Sequence, residues 1–255
     1  MSSDAVVLEA IDVHKAFGGV QAVNGTSLRA ARGRITGLIG PNGAGKSTMI
    51  GLLSGALQPD RGTVRLLGQD VTHLPNWRRA RLGLIRTFQV SREFGRMTVL
   101  ENLMVAQTPQ RGESFVLAAF APRLWKEEEA ARLEQARAIL DRFQLSHLED
   151  EYAANLSGGQ KRLLEMARAL MANPKILLLD EPMAGVNPTL AQELAGHIES
   201  LRDEGMTILL IEHELRLVER LCDPVVVMAQ GRVLAEGTMD ELRRNEEVVK
   251  AYLVG

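Results

Sequence analysis

Five short apolar runs punctuate the chain: VLEAIDV (7–13), RITGLIG (34–40), KILLLDE (175–181), TILLIEH (207–213) and PVVVMAQ (224–230). They are near-continuous and mostly rich in β-branched residues, which predicts short strands buried on both faces. Helical stretches follow several of them, so the pattern points to an α/β fold with a mostly parallel sheet. Within the first 70 residues, the turn-separated segments SLRAARGRI and GTVRLLGQD predict hairpins of an antiparallel β layer. From about 91 to 156 no strand pattern is visible. There KEEEAARLEQARAILDRF places Leu133, Ala136, Leu140 and Phe143 at helical spacing. Glu128 and Arg132 sit four apart on its polar side, so the charge run predicts a solvated helix face. Thr98 with Glu101 reads as a capping box opening the helix TVLENLMVA, and Thr238 with Glu241 as another opening the tail. The expected organisation is an α/β core over 1–90 and 157–237, a helical subdomain over 91–156, and a helical tail over 238–255. The tail, with Leu253 and Val254 near its end, is expected to pack on the chain's own core; a contact with a second subunit is the alternative.

Composition narrows the partners. Apolar residues make up 45% and charged residues 24%, as in ordinary globular domains, which excludes bulk disorder and low-complexity arrays. The net charge of −2 offers no global field for nucleic acid, and aromatics at 4% are too scarce for a stacking platform. No nucleic-acid partner is expected. The N-terminus shows no signal-peptide pattern. The longest apolar run, VLAAFA (116–121), is far short of the roughly 20 residues that cross a bilayer, so no transmembrane segment is expected. A role at a membrane would act through a partner. The lone Cys222 can form neither an internal disulfide nor a zinc site, which suits a reducing compartment.

The candidate chemistry begins with GPNGAGKS at 40–47, between a predicted strand and a predicted helix. It fits the phosphate-binding pattern G-x-x-x-x-G-K-[ST] in the required context. Gly40, Pro41, Asn42, Gly43, Ala44 and Gly45 form the loop, in which Gly43 and Gly45 allow a tight fold with amides aimed at phosphate oxygens. Lys46 reaches the β- and γ-phosphates, and the helix that starts there adds its positive end. Ser47 can ligate Mg²⁺, and Thr48 completes the nucleotide-binding set. The core is therefore expected to be of the P-loop NTPase type, binding a nucleoside triphosphate with Mg²⁺. The strand ILLLD ends in Asp180, placed to hold the metal through water, and Glu181 can orient or deprotonate an attacking water.

LSGGQ at 156–160 is the sharpest string. Ser157 and Gln160 form a capping box, and Gly158 and Gly159 leave bare amides at a helix N-terminus, a second phosphate-binding surface. A head-to-tail dimer would let each helical insert present this surface to the partner's phosphate loop.

Together, the P-loop, LSGGQ, ILLLDE and a downstream His resemble the ATP-binding subunit of ABC transporters, over almost the whole chain. The resemblance implies an ATPase in which two subunits enclose two ATP molecules, each between one P-loop and the partner's signature. It implies that Phe17 in KAFGG stacks on adenine, the alternative being a core Phe. It implies that Gln89 in RTFQV touches Mg²⁺ and the water and senses the membrane partner, and that His213 in LLIEHEL contacts the γ-phosphate. The chain departs from the family pattern at Asn187, where many members carry Asp; Asn before Pro188 is still a good helix N-cap.

RTFQ, EPMAGVNP, IEHEL, the LCD at 221–223 and the closing KAYLVG resemble one subgroup, the ATP-binding subunits of branched-chain amino-acid importers. Subunits serving urea, amides or lipopolysaccharide share part of this set. The resemblance implies transmembrane permease subunits and a second ATP-binding subunit, identical or different, as partners. It implies a substrate-binding protein acting indirectly and a peripheral place on the cytoplasmic face of the membrane. A soluble ATP-dependent switch that transports nothing is the rival reading.

Overall fold

The computed structural model describes residues 5–87, 93–106 and 122–254. The chain forms two compact units, one from Met1–Gln89 with Lys175–Gly255, the other from Val90–Pro174.

The first unit carries two sheets. Strands β1 (Val6–Phe17), β2 (Val20–Ala31), β4 (Arg61–Leu66) and β5 (Gln69–Asp70) form an antiparallel sheet in the order β2-β1-β4-β5. Strands β3 (Ile35–Ile39), β6 (Leu84–Arg86), β7 (Ile176–Asp180), β8 (Thr207–Ile211), β9 (Val225–Ala229) and β10 (Arg232–Gly237) form the second, in the order β10-β9-β3-β8-β7-β6. All its pairs are parallel except β9–β10. β3, β7 and β8 are buried at every residue, as their unbroken apolar runs predict.

Two expectations are corrected. VLEAIDV belongs to the antiparallel sheet and mixes buried with half-exposed positions; its apolar run did not mean two covered faces. SLRAARGRI is no hairpin: β2 ends at Ala31, the chain turns at Arg32–Gly33, and it enters β3 of the other sheet. GTVRLLGQD does form the β4–β5 hairpin.

Helix α1 (Lys46–Ser54) lies in the core shared by both sheets. Its Met49, Ile50, Leu52 and Leu53 join Leu8, Val13 and Leu66 from the antiparallel sheet and Leu38, Leu178 and Leu209 from the parallel one. A helix buried at every residue from Met49 to Ser54 belongs in such a place. Its C-terminal carbonyls are met by Arg79 of the short helix α2 (Asn76–Arg81), a fully buried guanidinium. Arg79 Nη1 donates to Leu52 O and Leu53 O at 2.7 Å each, Nη2 to Thr72 O at 3.0 Å and Nε to Leu74 O at 3.0 Å. Burial pulls its pKa down to about 10, against the opposing pull of Asp70. The charge suits the negative end of α1.

The second unit packs α3 (Val99–Ala106), α4 (Pro122–Arg142) and α5 (Gly158–Met171) around Val99, Leu103, Ala136, Leu140, Phe143 and Leu164, all wholly buried. The predicted capping box is present: Thr98 N–H donates to Glu101 Oε2 at 2.8 Å and Glu101 N–H to Thr98 Oγ1 at 3.2 Å. Among the described residues its extended pairing is one bridge, Thr98 with Tyr152. The polar side of α4 is not all solvated, since Arg132 is buried and paired with Glu128.

In the first unit, α6 (Pro188–Asp203) and α7 (Leu215–Leu221) flank β8, and α8 (Met239–Arg244) and α9 (Glu246–Val254) form the tail. The Thr238–Glu241 capping box is present. Met239, Leu242 and Val248 are buried, so the tail packs on its own unit, as expected. No described helix is long and apolar enough to cross a membrane.

Candidate nucleotide-binding and hydrolytic site

The phosphate loop is built by close approach. At Gly40 (φ +151°) a Cβ would lie 2.1 Å from Met228 O, and at Gly45 (φ +99°) 2.3 Å from Ala22 O, so neither position accepts a side chain. Gly231 N–H donates to Ala44 O at 3.0 Å, and the same glycine accepts from Asn24 N–H at 2.8 Å and Thr26 Oγ1 at 2.6 Å. The β9–β10 turn and β2 thus back the loop. Asn42, Gly43 and Ser47 stay exposed, Pro41 and Thr48 half-buried. Gly45 is the left-handed N-cap of α1, and no acid sits in the first turn to neutralise that positive end. Lys46 is buried, with Nζ donating to Gly40 O at 2.7 Å and Pro41 O at 3.0 Å. Burial lowers its pKa, and the nearby carboxylates of Glu181 and Asp180 push it back up. Both acids lie close enough for their charge to act on the loop's lysine.

Asp180 ends β7 almost wholly buried and accepts from Arg86 Nη2 at 2.8 Å. Its carboxylate and the Ser47 hydroxyl are hard oxygen donors of the kind magnesium selects, so these residues fit the ion. Glu181 adopts a left-handed backbone (φ +50°), uncommon for a residue with a side chain. Its N–H is tied to Ile211 O at 3.0 Å. His213 Nε2 lies 2.5 Å from Glu181 Oε1. The two strand-end loops therefore bring the acid and the imidazole into contact.

Phe17 is not a core residue. It closes β1 at the Gly18–Gly19 turn, 47% exposed, with Lys15 Nζ 5.7 Å from its ring centroid. An exposed ring beside a cation is free to receive a flat base. Gln89 lies outside the described residues.

In the second unit the signature folds as predicted. Ser157 N–H donates to Gln160 Oε1 at 2.9 Å and Gln160 N–H to Ser157 Oγ at 3.3 Å, opening α5 with Gly158 exposed and Gly159 half-buried. In the first unit, Asn187 caps α6, accepting from Leu190 N–H at 2.9 Å with Pro188 at the first helical position. The missing charge leaves that cap intact.

Three residues escaped the sequence reading. Arg86 sits on Asp180. The hydroxyl of Tyr252, an α9 residue 37% exposed, approaches the Gly40 backbone. Glu212, a buried acid within the IEH string, accepts from the backbone amides of Met183 and His213, next to the Glu181–His213 contact. Only Glu212 left a signal, a charged residue continuing an otherwise apolar strand run.

Comparison with known proteins agrees with this geometry. A family model described as ABC transporter matches residues 23–184, and one described as branched-chain amino acid ATP-binding cassette transporter matches residues 232–253. The chain is 42% identical to the high-affinity branched-chain amino acid transport ATP-binding protein BraF of Pseudomonas aeruginosa, over 97% of each chain. It is 41% identical to the probable branched-chain amino acid transport ATP-binding protein LivG of Archaeoglobus fulgidus, over 97% of this chain and 95% of that one. Among solved structures, a nucleotide-free ATP-binding cassette from an ABC transporter matches at TM-score 0.84 and 38% identity, covering 98% of this chain and 100% of that one. An ATP-binding cassette of an ABC transporter in its ADP conformation matches at TM-score 0.83 and 36% identity, with the same coverage. With its phosphate loop, strand-end acids and capped LSGGQ helix, the chain belongs to the ABC transporter family, as an ATP-hydrolysing ATP-binding subunit homologous to those of branched-chain amino-acid importers.

Proposed function

We propose that the chain powers a membrane importer of branched-chain amino acids by hydrolysing ATP in the presence of magnesium. The observation that carries the mechanism is the contact of Glu181 with His213 at the C-terminal ends of the neighbouring strands β7 and β8, next to Asp180 and within the electrostatic reach of Lys46. Loop amides and Lys46 hold the phosphates, and Phe17 stacks on the base. Ser47, Asp180 and Gln89 would hold magnesium, which would supply charge neutralisation on the bound phosphates. Glu181 takes the proton of the attacking water, and His213 orients that carboxylate and contacts the γ-phosphate.

The capped N-terminus of α5, with the amides of Gly158 and Gly159, completes the site of a second ATP-binding subunit in a head-to-tail dimer. That subunit is a copy of this chain or a similar one. The permease has a candidate seat in the first unit, a cleft of about 210 Å³ lined by Trp77, Ala80, Leu84 and Ile85 with Arg86 at its edge. Trp77 is half exposed there. Arg86 also holds Asp180, so a partner in the cleft would sit beside an acid of the candidate metal site. The chain is peripheral to the membrane, on its cytoplasmic face, and a substrate-binding protein acts on it only through the permease.

Purification of the tagged chain from native membranes in mild detergent tests this. Two multi-span proteins and a second ATPase chain should accompany it, and a leucine-loaded binding protein should stimulate ATP turnover in the reconstituted complex. Stimulation by a different cargo keeps the ATPase and replaces the substrate. Recovery without any membrane protein overturns the importer reading.

A further inference from the structure

Glu212 follows β8 and is 4% exposed, an acid where acids are almost never buried without a task. Its two oxygens are divided between two loops. Oε1 accepts the N–H of Met183 at 3.0 Å, and Oε2 accepts the N–H of His213 at 3.1 Å. Met183 lies two residues beyond Glu181, and His213 is the imidazole in contact with Glu181. Burial raises the Glu212 carboxyl above the usual range, the two amides draw it back down, and Glu181 raises it again. The structure tolerates this unfavourable neighbour of its own acid.

The backbone of Glu181 supplies the reason. A left-handed conformation at a residue with a side chain costs on the order of 1 kcal/mol and persists only where the surroundings enforce it. Glu181 is held on both sides: its own N–H is bound to Ile211 O, and Met183 N–H is bound to Glu212. The second tie depends on one side chain, and that side chain also grips the amide of His213.

We propose that Glu212 is a positioning residue for hydrolysis: its carboxylate brackets the turn after Glu181 to the His213 loop and so sets the acid–imidazole contact. This rests on the reading of Glu181 as the base. A carboxylate is needed because it accepts at both oxygens, whereas glutamine of the same shape accepts at one and turns an NH₂ against the other amide.

The test uses the full-length chain and its Glu212→Gln and Glu181→Gln variants. ATP turnover, affinity for a fluorescent ATP analogue and thermal melting are measured on each. Glu212→Gln is expected to lower kcat about 10- to 100-fold while nucleotide affinity and KM stay within about twofold. Hydrogen exchange at the amides of Met183 and His213 should be slow in the wild type and faster in the variant. Glu212→Asp, too short to reach both amides, should reproduce the kcat loss if the glutamine variant does not fold. A wild-type kcat in Glu212→Gln, with Glu181→Gln inactive, overturns the bracket and leaves the base standing. Loss of kcat, affinity and melting temperature together makes Glu212 merely a structural residue and also overturns it. A Glu181→Gln variant that turns over normally removes the base and the bracket with it.

Discussion

His213 Nε2 lies 2.5 Å from Glu181 Oε1, across 32 residues of sequence. Each ends a parallel strand or its immediate loop, β7 for the acid and β8 for the imidazole, and β7 and β8 are direct neighbours. Adjacent parallel strands present their C-terminal ends at the same edge, so two residues just beyond those ends meet. His213→Ala removes the partner that orients the carboxylate. Turnover should fall about 100-fold with little change in ATP affinity. Steady-state kinetics with an independent binding titration checks this, and an equal loss in both quantities would assign His213 to binding instead.

Lys46→Ala should weaken ATP binding about tenfold or more, because the buried ammonium is the loop's only cation for phosphate among the described residues 40–48. Isothermal titration with ATP gives the result directly. An unchanged dissociation constant would take Lys46 out of the site.

Arg79→Leu should cost about 3 kcal/mol of stability. It deprives the carbonyls of Leu52, Leu53, Thr72 and Leu74 of their buried donor and removes a cation from the C-terminal end of α1. Urea unfolding followed by circular dichroism measures the loss. A variant as stable as the wild type would mean that the helix end finds other partners.

Cys222 is buried against Gly37 of β3, where a Cβ would meet its Sγ at 3.0 Å. Burial pushes the thiol up to about 12, so below that pH the reactive thiolate is scarce while the chain is folded. A thiol-reactive disulfide reagent at pH 8 should label the native protein very slowly and the urea-unfolded protein at once. Rapid native labelling would show that the packing of Cys222 on β3 opens readily.

The site was legible wherever its signals are local. The capping pairs Thr98–Glu101, Ser157–Gln160 and Thr238–Glu241, and the Asn187 cap, each join residues three apart, so chain geometry alone brings the partners together. The phosphate loop is equally local, since its glycines and Lys46 act within one turn and the start of α1. The buried parallel strands declared themselves through unbroken apolar runs, and those runs end in Asp180 and close to His213.

The amino-acid order by itself thus indicated β3, β7, β8 and β9 of the parallel sheet, the helix caps and the phosphate loop, whereas β6 and β10 lie outside the apolar runs that mark strands. Only the tertiary structure decided which sheet each strand joins, and it moved VLEAIDV and SLRAARGRI from their expected places. An apolar run reports that a strand is covered, not by what, and a turn does not say whether the chain returns to the same sheet. Tertiary structure alone also placed Arg79 under α1, Arg86 on Asp180 and Glu212 between two loops. These polar groups are buried, and each is stable only because distant segments supply its hydrogen-bond partners. No local pattern encodes partners 27 to 94 residues away, so such residues become visible only when the fold brings them together.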